Sequence, residues 1–312
     1  MRTQILQLGR MLPALEQGLT ERFLVHRWPD AEPQEPWLAE RANAVRGLVT
    51  GANYGVANSI VARLPALGII AINGVGFDRV DLQFARERGI RVTNTPDVLT
   101  DDVADLALGL VISLLRELPA ADRFVRDGKW LAAPMPLARK VSGRRFGIVG
   151  LGRIGRAIAA RLAVLGPVAY CASAPKPDQD QYRFIADPIQ LARVSDVLVL
   201  AASVTASSRR MVGRELLDAL GPDGYLVNIS RGALVDQAEL IAALQERRIA
   251  GAALDVFDDE PNVPEALRAL PNVVLTPHIG SATQETRDGM GRMVLASLDA
   301  YFGGTPVPSA LT

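Results

Sequence analysis

Three polar residues each follow a stretch that is typical of a buried β-strand. Arg231 lies in "NISRGALVD", Glu260 in "ALDVFDDEP" and His278 in "LTPHIGSAT". The carboxyl ends of parallel strands meet at one edge of a sheet, where open α/β sheets bind their ligands. A cation, a carboxylate and an imidazole at that edge could bind an anionic substrate and exchange a proton with it. Each also has a structural interpretation: a surface arginine, an acid of a solvated loop and a hydrogen-bonded loop histidine.

Histidine is rare in this chain, which narrows the choice of a proton donor. His26 and His278 are the two histidines of the sequence. His26 follows the strand-like run "RFLV" without an evident partner, so we expect it to be structural or on the surface. His278 is the candidate for acid–base chemistry.

A glycine-rich turn indicates a dinucleotide site. The sequence "GLGRIG" comes directly after the strand-like "FGIV" and opens the helical "RIGRAIAARLAVLG". In this motif the first glycine permits a tight turn, the second lets a pyrophosphate approach, and the third lets the helix pack on the strand. The N–H groups at the start of the helix would bind the phosphates. The predicted cofactor contacts are Gly150, Leu151, Gly152, Arg153, Ile154 and Gly155.

The next strand lacks the acid that usually marks an NAD site. Such sites carry Asp or Glu about 20 residues beyond the turn, where it accepts the adenosine 2′-hydroxyl. Here "YCASAPK", Tyr170 to Lys176, contains no carboxylate. A carboxylate would repel a 2′-phosphate, so its absence permits NADP, with Ser173 and Lys176 as candidate phosphate ligands. NADPH is therefore the preferred prediction, whereas NADH stays open because no arginine is present for a bidentate contact.

The elements that must position these residues form two series of β-rich and helical runs, which is typical of parallel sheets flanked by helices. The strand-like runs of the first series are "QILQLG", "FLVHRW", "VRGLVTG", "GIIAING" and "IRVTN", and those of the second are "RRFGIVG", "VAYCAS", "SDVLVLAA", "GYLVNIS", "AGAALDVF" and "NVVLTPHIG". We predict an α/β protein of two Rossmann-like, doubly wound parallel-sheet domains with a cleft between them.

Composition restricts the class of protein. The 312 residues are 49% hydrophobic, and 34 basic residues balance 34 acidic ones, which argues against a nucleic-acid partner. Cys171 is the single cysteine, so we expect no multi-cysteine metal site and a reducing, cytoplasmic location. The N-terminus lacks a signal-peptide pattern, and the apolar run 103–115 is shorter than the ~20 residues that span a bilayer. We therefore expect no membrane partner and no metal.

Four motifs together resemble one enzyme family over nearly the whole chain. "GLGRIG", "NISRGALVDQAELIAAL", "GAALDVFDDEP" and "LTPHIGSAT" occur in the order found in the D-isomer-specific 2-hydroxyacid dehydrogenases. Within that family, "RVTNTPDVLTDDVADLALGL" is similar to the glyoxylate/hydroxypyruvate reductases and plant-type hydroxyphenylpyruvate reductases. Those relatives mostly prefer NADPH, and they usually carry an arginine where this chain has Ser173. The resemblance implies reduction of a 2-oxo acid: glyoxylate, hydroxypyruvate or an aryl-pyruvate.

The resemblance also implies roles for individual residues. His278 would donate the proton, Arg231 would bind the substrate carboxylate and polarise the carbonyl, and Glu260 would pair with the far imidazole nitrogen. The N–H groups of Val75 and Gly76 in "INGVGFD" would add carboxylate contacts, although a plain glycine-rich loop is the alternative. Asp255 would bind the nicotinamide carboxamide, or else be a structural strand-end acid. Ile229 and Arg231 would lie beside the cofactor. The residues beside the substrate would be Asn53, Arg231, His278 and Ser281.

A discontinuous layout follows from the resemblance. Residues 1–96, completed by 284–312, would form the substrate domain around an inserted NAD(P)-binding domain at 97–283. Closure of the cleft would exclude water. A homodimer is expected, with Trp130 or Met135 reaching toward the partner's site.

Other functions on the same fold stay open at this stage. A formate or phosphite dehydrogenase is disfavoured, because the formate enzymes pair their histidine with glutamine where this chain has Glu260. Phosphoglycerate dehydrogenase is disfavoured because "TGANYGV" supplies no cation for a substrate phosphate. A dinucleotide-sensing binding protein, such as a corepressor, is an alternative from a different class.

Overall fold

Strand-forming runs of Val, Ile, Leu and Ala occur in two blocks of the chain, and each block forms its own parallel sheet. The structure, a computed structural model, describes residues 2–28 and 34–312. Unit 1 comprises Met1–Leu99 and Thr283–Thr312, and unit 2 comprises Thr100–Ala282. The roles of these units in binding substrate and cofactor stay predictions.

Unit 1 contains a five-stranded sheet in the order β2-β1-β3-β4-β5 among the described residues. Its strands pair with one another in parallel. Its strands are β1 Gln4–Gln7, β2 Leu24–Arg27, β3 Val45–Gly51, β4 Ile69–Asn73 and β5 Arg91–Thr93, and its first helices are α1 Pro13–Arg22, α2 Gln34–Arg41, α3 Asn58–Ala62 and α4 Leu82–Glu87. A short 3-10 helix covers Ala42–Ala44.

Unit 2 contains a seven-stranded sheet in the order β12-β11-β10-β9-β6-β7-β8 among the described residues. Its elements are α5 Thr100–Leu115, α6 Leu118–Arg126, β6 Phe146–Val149, α7 Arg153–Ala163, β7 Val168–Cys171, β8 Arg183–Phe184, α8 Pro188–Arg193, β9 Val197–Leu200, α9 Arg214–Leu220, β10 Tyr225–Asn228, α10 Gln237–Gln245, β11 Gly251–Leu254, α11 Glu265–Arg268 and β12 Val273–Leu275, with 3-10 helices at Lys129–Leu131 and Gly232–Leu234. The order reverses between β6 and β9, and ligands bind at such a switch point in doubly wound sheets.

The C-terminal helix α12, Gln284–Phe302, belongs to unit 1. Successive residues of β4 face opposite sides of the sheet, as the period of two requires. Ile69 packs with α1 and α12 on one side, whereas Ile70 packs with the helices of the other side. Leu298 of α12 is 0% exposed, and such burial stabilises a domain by about 1.5–3 kcal/mol per side chain.

The predicted fold class is confirmed, with two differences in detail. Helix α2 and the two-residue strand β8 have no counterpart in the predicted series. None of the helices within residues 2–28 and 34–312 is long and apolar enough to cross a membrane.

Candidate active site

The glycine-rich turn follows β6 and leads into α7. Gly150 has φ 95°, a backbone region that side-chain-bearing residues rarely adopt. A Cβ on Gly155 would lie 2.0 Å from the carbonyl oxygen of Gly150, whereas one on Gly152 would meet nothing within 4 Å. The first and third positions are therefore filled by backbone, and the second leaves open space. This is the arrangement that a pyrophosphate at a helix N-terminus needs, so the turn fits a dinucleotide.

The other predicted contacts of this turn differ in exposure. Leu151 is buried, Arg153 is exposed in the first turn of α7, and Ile154 is half-buried. The first N–H groups of a helix have no partner within the helix and carry its positive dipole end. Arg153 adds a full positive charge where the phosphates would lie.

The loop after β7 is held by a buried phenol. Tyr170 is 2% exposed, its ring packs on Phe184, and its hydroxyl accepts a hydrogen bond from the Lys176 N–H at 2.8 Å. Ser173 is exposed between these two anchored points. The tyrosine is a residue that the sequence analysis did not assign, because nothing in the pattern shows a contact across the loop.

His278 and Glu260 form a hydrogen-bonded pair. His278 Nδ1 lies 2.7 Å from Glu260 Oε2, and both side chains are about a quarter exposed, 26% and 25%. The other carboxylate oxygen, Oε1, accepts the Phe257 N–H at 3.0 Å. Because one oxygen is fixed by the backbone and the other by the ring, the carboxylate orients the imidazole.

The charge state of Glu260 follows from its neighbours. Partial burial is the largest single influence and raises the pKa of Glu260, but the hydrogen bond and charge of His278, the Phe257 N–H and the Arg231 charge together outweigh it. The pKa therefore lies below the ordinary value of 4.5. Glu260 is therefore ionised at neutral pH and places a negative charge beside the imidazole of His278.

The backbone at Arg231 is held by an amide at the end of β10. Asn228 is 1% exposed, and its Nδ2 donates to the Arg231 carbonyl at 2.9 Å while its Oδ1 accepts the Ser230 N–H at 3.1 Å. A Cβ on Gly232 would lie 1.9 Å from the carbonyl carbon of Phe257, so the Arg231 loop presses directly on the loop that leads to Glu260. Arg231 is half-buried, which disfavours its interpretation as a plain surface arginine.

Asp255 fixes the loop that carries His278. The carboxylate is 1% exposed, and it accepts hydrogen bonds from Thr276 Oγ1 at 2.7 Å, the Ile279 N–H at 2.8 Å and the Gly280 N–H at 2.9 Å. These contacts match the structural interpretation of Asp255. Its contact with the nicotinamide stays a prediction.

The backbone of His278 is also held by Asp255. His278 has φ 53°, a left-handed conformation that is uncommon outside glycine. Its N–H donates to the Asp255 carbonyl at 2.9 Å and to the Thr276 carbonyl at 3.1 Å. The surrounding contacts therefore maintain a backbone that a free loop would not favour.

The remaining predicted residues lie in both units. Ile229 is buried after β10, and Ser281 is half-buried in the turn after His278. In unit 1, Val75 and Gly76 are half-buried after β4, and Asn53 is exposed in the turn after β3. Their ligand contacts stay predictions. Within residues 2–28 and 34–312, no group of three His, Cys, Asp or Glu side chains could hold a metal ion.

His26 lies apart from these residues, on β2 at the edge of the unit 1 sheet. Its Nε2 lies 2.7 Å from Gln4 Oε1, and its ring packs edge-on against Trp37. These contacts agree with the structural role that was expected for it.

A dinucleotide turn in a doubly wound sheet, with a paired imidazole and carboxylate near a guanidinium in the same unit, is typical of the nicotinamide-dependent dehydrogenases. Residues 108–280 match the family model described as the D-isomer specific 2-hydroxyacid dehydrogenase, NAD binding domain. The chain belongs to the D-isomer specific 2-hydroxyacid dehydrogenase family, so the predicted family is confirmed. Its cofactor is accordingly NAD(P).

Relatives of known name align over almost the whole chain. The sequence is 45% identical to hydroxyphenylpyruvate reductase from Plectranthus scutellarioides, over 97% of this chain and 97% of that protein. It is 46% identical to glyoxylate/hydroxypyruvate reductase A from Arabidopsis thaliana, over 97% and 98%. An NADPH-dependent glyoxylate/hydroxypyruvate reductase from Sinorhizobium meliloti, solved with NADP and malonate, is 39% identical with a TM-score of 0.93, covering 100% of this chain and 97% of that one.

Proposed function

We propose that the protein reduces a 2-oxo acid, of the glyoxylate, hydroxypyruvate or aryl-pyruvate type, to the D-2-hydroxy acid with NADPH. The observation that carries this proposal is the 2.7 Å pair of His278 and Glu260 in the unit that holds the dinucleotide turn, with Arg231 close enough to lower the pKa of Glu260. The names of the relatives support the substrate class.

Each residue of this set performs a separate task. Because Glu260 occupies Nδ1 of His278, the proton reaches the developing alkoxide from the other ring nitrogen, Nε2. The carboxylate stabilises the protonated imidazole before the proton leaves. Arg231 offers two parallel N–H groups to the substrate carboxylate and places a positive charge beside the carbonyl that is reduced.

The glycine-rich turn and the loop after β7 would hold the cofactor. When bound, NADPH supplies the hydride for C2 of the substrate. The half-buried Lys176 and the exposed Ser173 would contact the 2′-phosphate, and no acidic side chain stands between Tyr170 and Lys176 to repel it. The Sinorhizobium relative, described as NADPH-dependent, supports this preference.

A homodimer and a cytoplasmic location complete the proposal. Three apolar side chains of the segment 130–137 are exposed: Trp130 at 69%, Leu131 at 95% and Leu137 at 98%. A partner that covered them would remove apolar surface from water. The single cysteine, Cys171, is buried, which is typical of a reducing compartment. Light scattering that gave the 33.5 kDa mass of one chain would contradict the dimer.

Turnover with a panel of 2-oxo acids tests the reaction. We expect purified protein to oxidise NADPH with glyoxylate, hydroxypyruvate or phenylpyruvate. His278→Ala should lose about 10²–10⁴-fold in kcat, the usual contribution of a positioned acid. The matched control is His26→Ala, which removes the other histidine and should leave kcat unchanged.

The binding-protein alternative gives a different result. A dinucleotide sensor would bind NADPH but consume none with any member of the panel. That outcome in the unmutated protein would contradict the proposed reduction.

A further inference from the structure

The turn after β4, Gly74 to Gly76, presents two backbone N–H groups in sequence. Neither the Val75 N–H nor the Gly76 N–H donates to another residue in the part of the chain that the structure describes. Both residues are only half-buried, so a small ligand can reach them. Successive unpaired N–H groups that point the same way form an anion-binding concavity.

Two neighbouring residues after β5 hold the carbonyl groups of this turn. The Thr95 N–H donates to the Gly74 carbonyl at 3.0 Å. Asn94 Nδ2 donates to the Val75 carbonyl at 2.8 Å. Both contacts lie beyond the last β4–β5 pair, Ala71 with Thr93; the first is made by a backbone N–H and the second by a side-chain amide.

Because the peptide bond is planar, these contacts fix the directions of the Val75 and Gly76 N–H groups. In a trans peptide the C=O and the following N–H point in opposite directions. The bond from Thr95 to the Gly74 carbonyl therefore directs the Val75 N–H away from β5. In the same way, the bond from Asn94 to the Val75 carbonyl directs the Gly76 N–H away from β5.

We propose that Asn94 is a positioning residue for the substrate: it acts with the Thr95 N–H as a clamp that aims the Val75 and Gly76 N–H groups at the substrate carboxylate. This inference rests on the proposed function, since the carboxylate belongs to the 2-oxo acid. Asn94 would touch the turn and not the substrate. Its amide is suited to this position because a carboxylate there could not donate to a carbonyl and would repel an anion.

The surroundings make the clamp stiff. Asn94 is 6% and Thr95 is 1% exposed, so water competes little for these donors. Gly74 abuts the preceding turn, where a Cβ on it would lie 2.4 Å from the Cβ of Ala52. The turn is thus packed on one side by residue 52 and held on the other by residues 94 and 95.

The test removes the amide and measures carboxylate binding with and without turnover. In Asn94→Ala we expect KM for the 2-oxo acid to rise at least about tenfold, because hydrogen bonds to a charged group are lost or misdirected. The calorimetric Kd of oxalate, a carboxylate that cannot be reduced here, should rise by a similar factor. KM for NADPH should stay within about twofold, because the clamp belongs to unit 1 and the residues proposed to bind the dinucleotide belong to unit 2.

Two further variants keep the test decisive. Asn94→Asp preserves the size of the side chain and loses the donor, so it decides the question if Asn94→Ala does not fold. Asn272→Ala is the matched control, because Asn272 Nδ2 also donates to a backbone carbonyl, that of Ala250 at 3.2 Å. This contact lies at the amino-terminal ends of β11 and β12 in unit 2. The control variant should affect the melting temperature and leave KM and the oxalate Kd unchanged.

The outcomes separate this inference from the proposed function. A folded Asn94 variant with unchanged KM and oxalate Kd overturns the clamp and leaves the reductase assignment intact. A similar rise in KM for the 2-oxo acid and for NADPH, together with lower thermal stability, also overturns it, since that pattern indicates a general structural role. If unmutated protein binds oxalate in an Asn94-dependent manner but reduces no 2-oxo acid, the clamp stands and the proposed reaction fails.

Discussion

Removal of the Glu260 charge is the sharpest test of His278 as the proposed proton donor. Glu260→Gln keeps the shape of the side chain, and its amide oxygen can still accept from the imidazole or from the Phe257 N–H. The negative charge beside His278 is lost. Since the ring that donates the proton would lose its charged partner, we expect kcat/KM for a 2-oxo acid to fall.

The size of this loss follows from the geometry. Two unit charges about 4 Å apart interact by about 4 kcal/mol at an effective dielectric constant near 20. The two side chains are 26% and 25% exposed, so solvent screens part of this, and we take about 1.5–3 kcal/mol, the usual range for a hydrogen bond to a charged group. At about 1.36 kcal/mol per factor of ten in rate, kcat/KM should fall by about 10–100-fold.

The assay is kcat/KM for one 2-oxo acid at saturating NADPH, measured at neutral pH, where Glu260 is ionised. The control is Asp259→Asn, which removes one negative charge from an exposed position in the same loop and should leave kcat/KM unchanged. A Glu260→Gln variant with the kcat/KM of the unmutated protein would refute the assigned pairing.

Three other predictions address the guanidinium, the cofactor loop and the turn. Arg231→Lys should lower kcat/KM for 2-oxo acids by about 10²-fold, because an ammonium cannot form the bidentate contact; unchanged steady-state kinetics would contradict that role. Ser173→Asp should raise KM for NADPH by about tenfold or more relative to NADH, through repulsion of a 2′-phosphate; an unaltered ratio of the two KM values would remove this loop from cofactor selection. Gly155→Ala should lower the free energy of unfolding by at least about 1–3 kcal/mol, the usual cost of overpacking, since the new Cβ would meet the Gly150 carbonyl oxygen at 2.0 Å; a denaturant titration with an unshifted midpoint would refute this packing argument.

Much of the fold was predictable because its sheets are parallel and buried on both faces. Such strands are continuous apolar runs that stand out from the helices between them. Strand β3 begins and ends where "VRGLVTG" does, at Val45–Gly51. Strand β8, Arg183–Phe184, pairs only through two residues at the edge of its sheet, which is too short for any periodic signal.

The site residues were predictable to the extent that they follow strands. That Arg231, Glu260 and His278 lie near one another was predictable because the topology of a parallel sheet assigns strand ends to one edge; their roles stay predictions. Asn228 leaves a weak local signal, since asparagine often bonds the backbone two or three residues on. Asn94 leaves none, because its partner, the Val75 carbonyl, is 19 residues away in the chain and becomes a neighbour only when β4 and β5 pair.

The bond between the Tyr170 hydroxyl and the Lys176 N–H has a consequence for how this enzyme could change its cofactor. The course of the loop is fixed by the buried Tyr170 ring and the Lys176 N–H. The Ser173 side chain is exposed. Residue 173 can therefore exchange serine for an acid or a base while the loop keeps its course. Under this arrangement, selection could alter the preferred dinucleotide by single substitutions, without rebuilding the sheet that supports them.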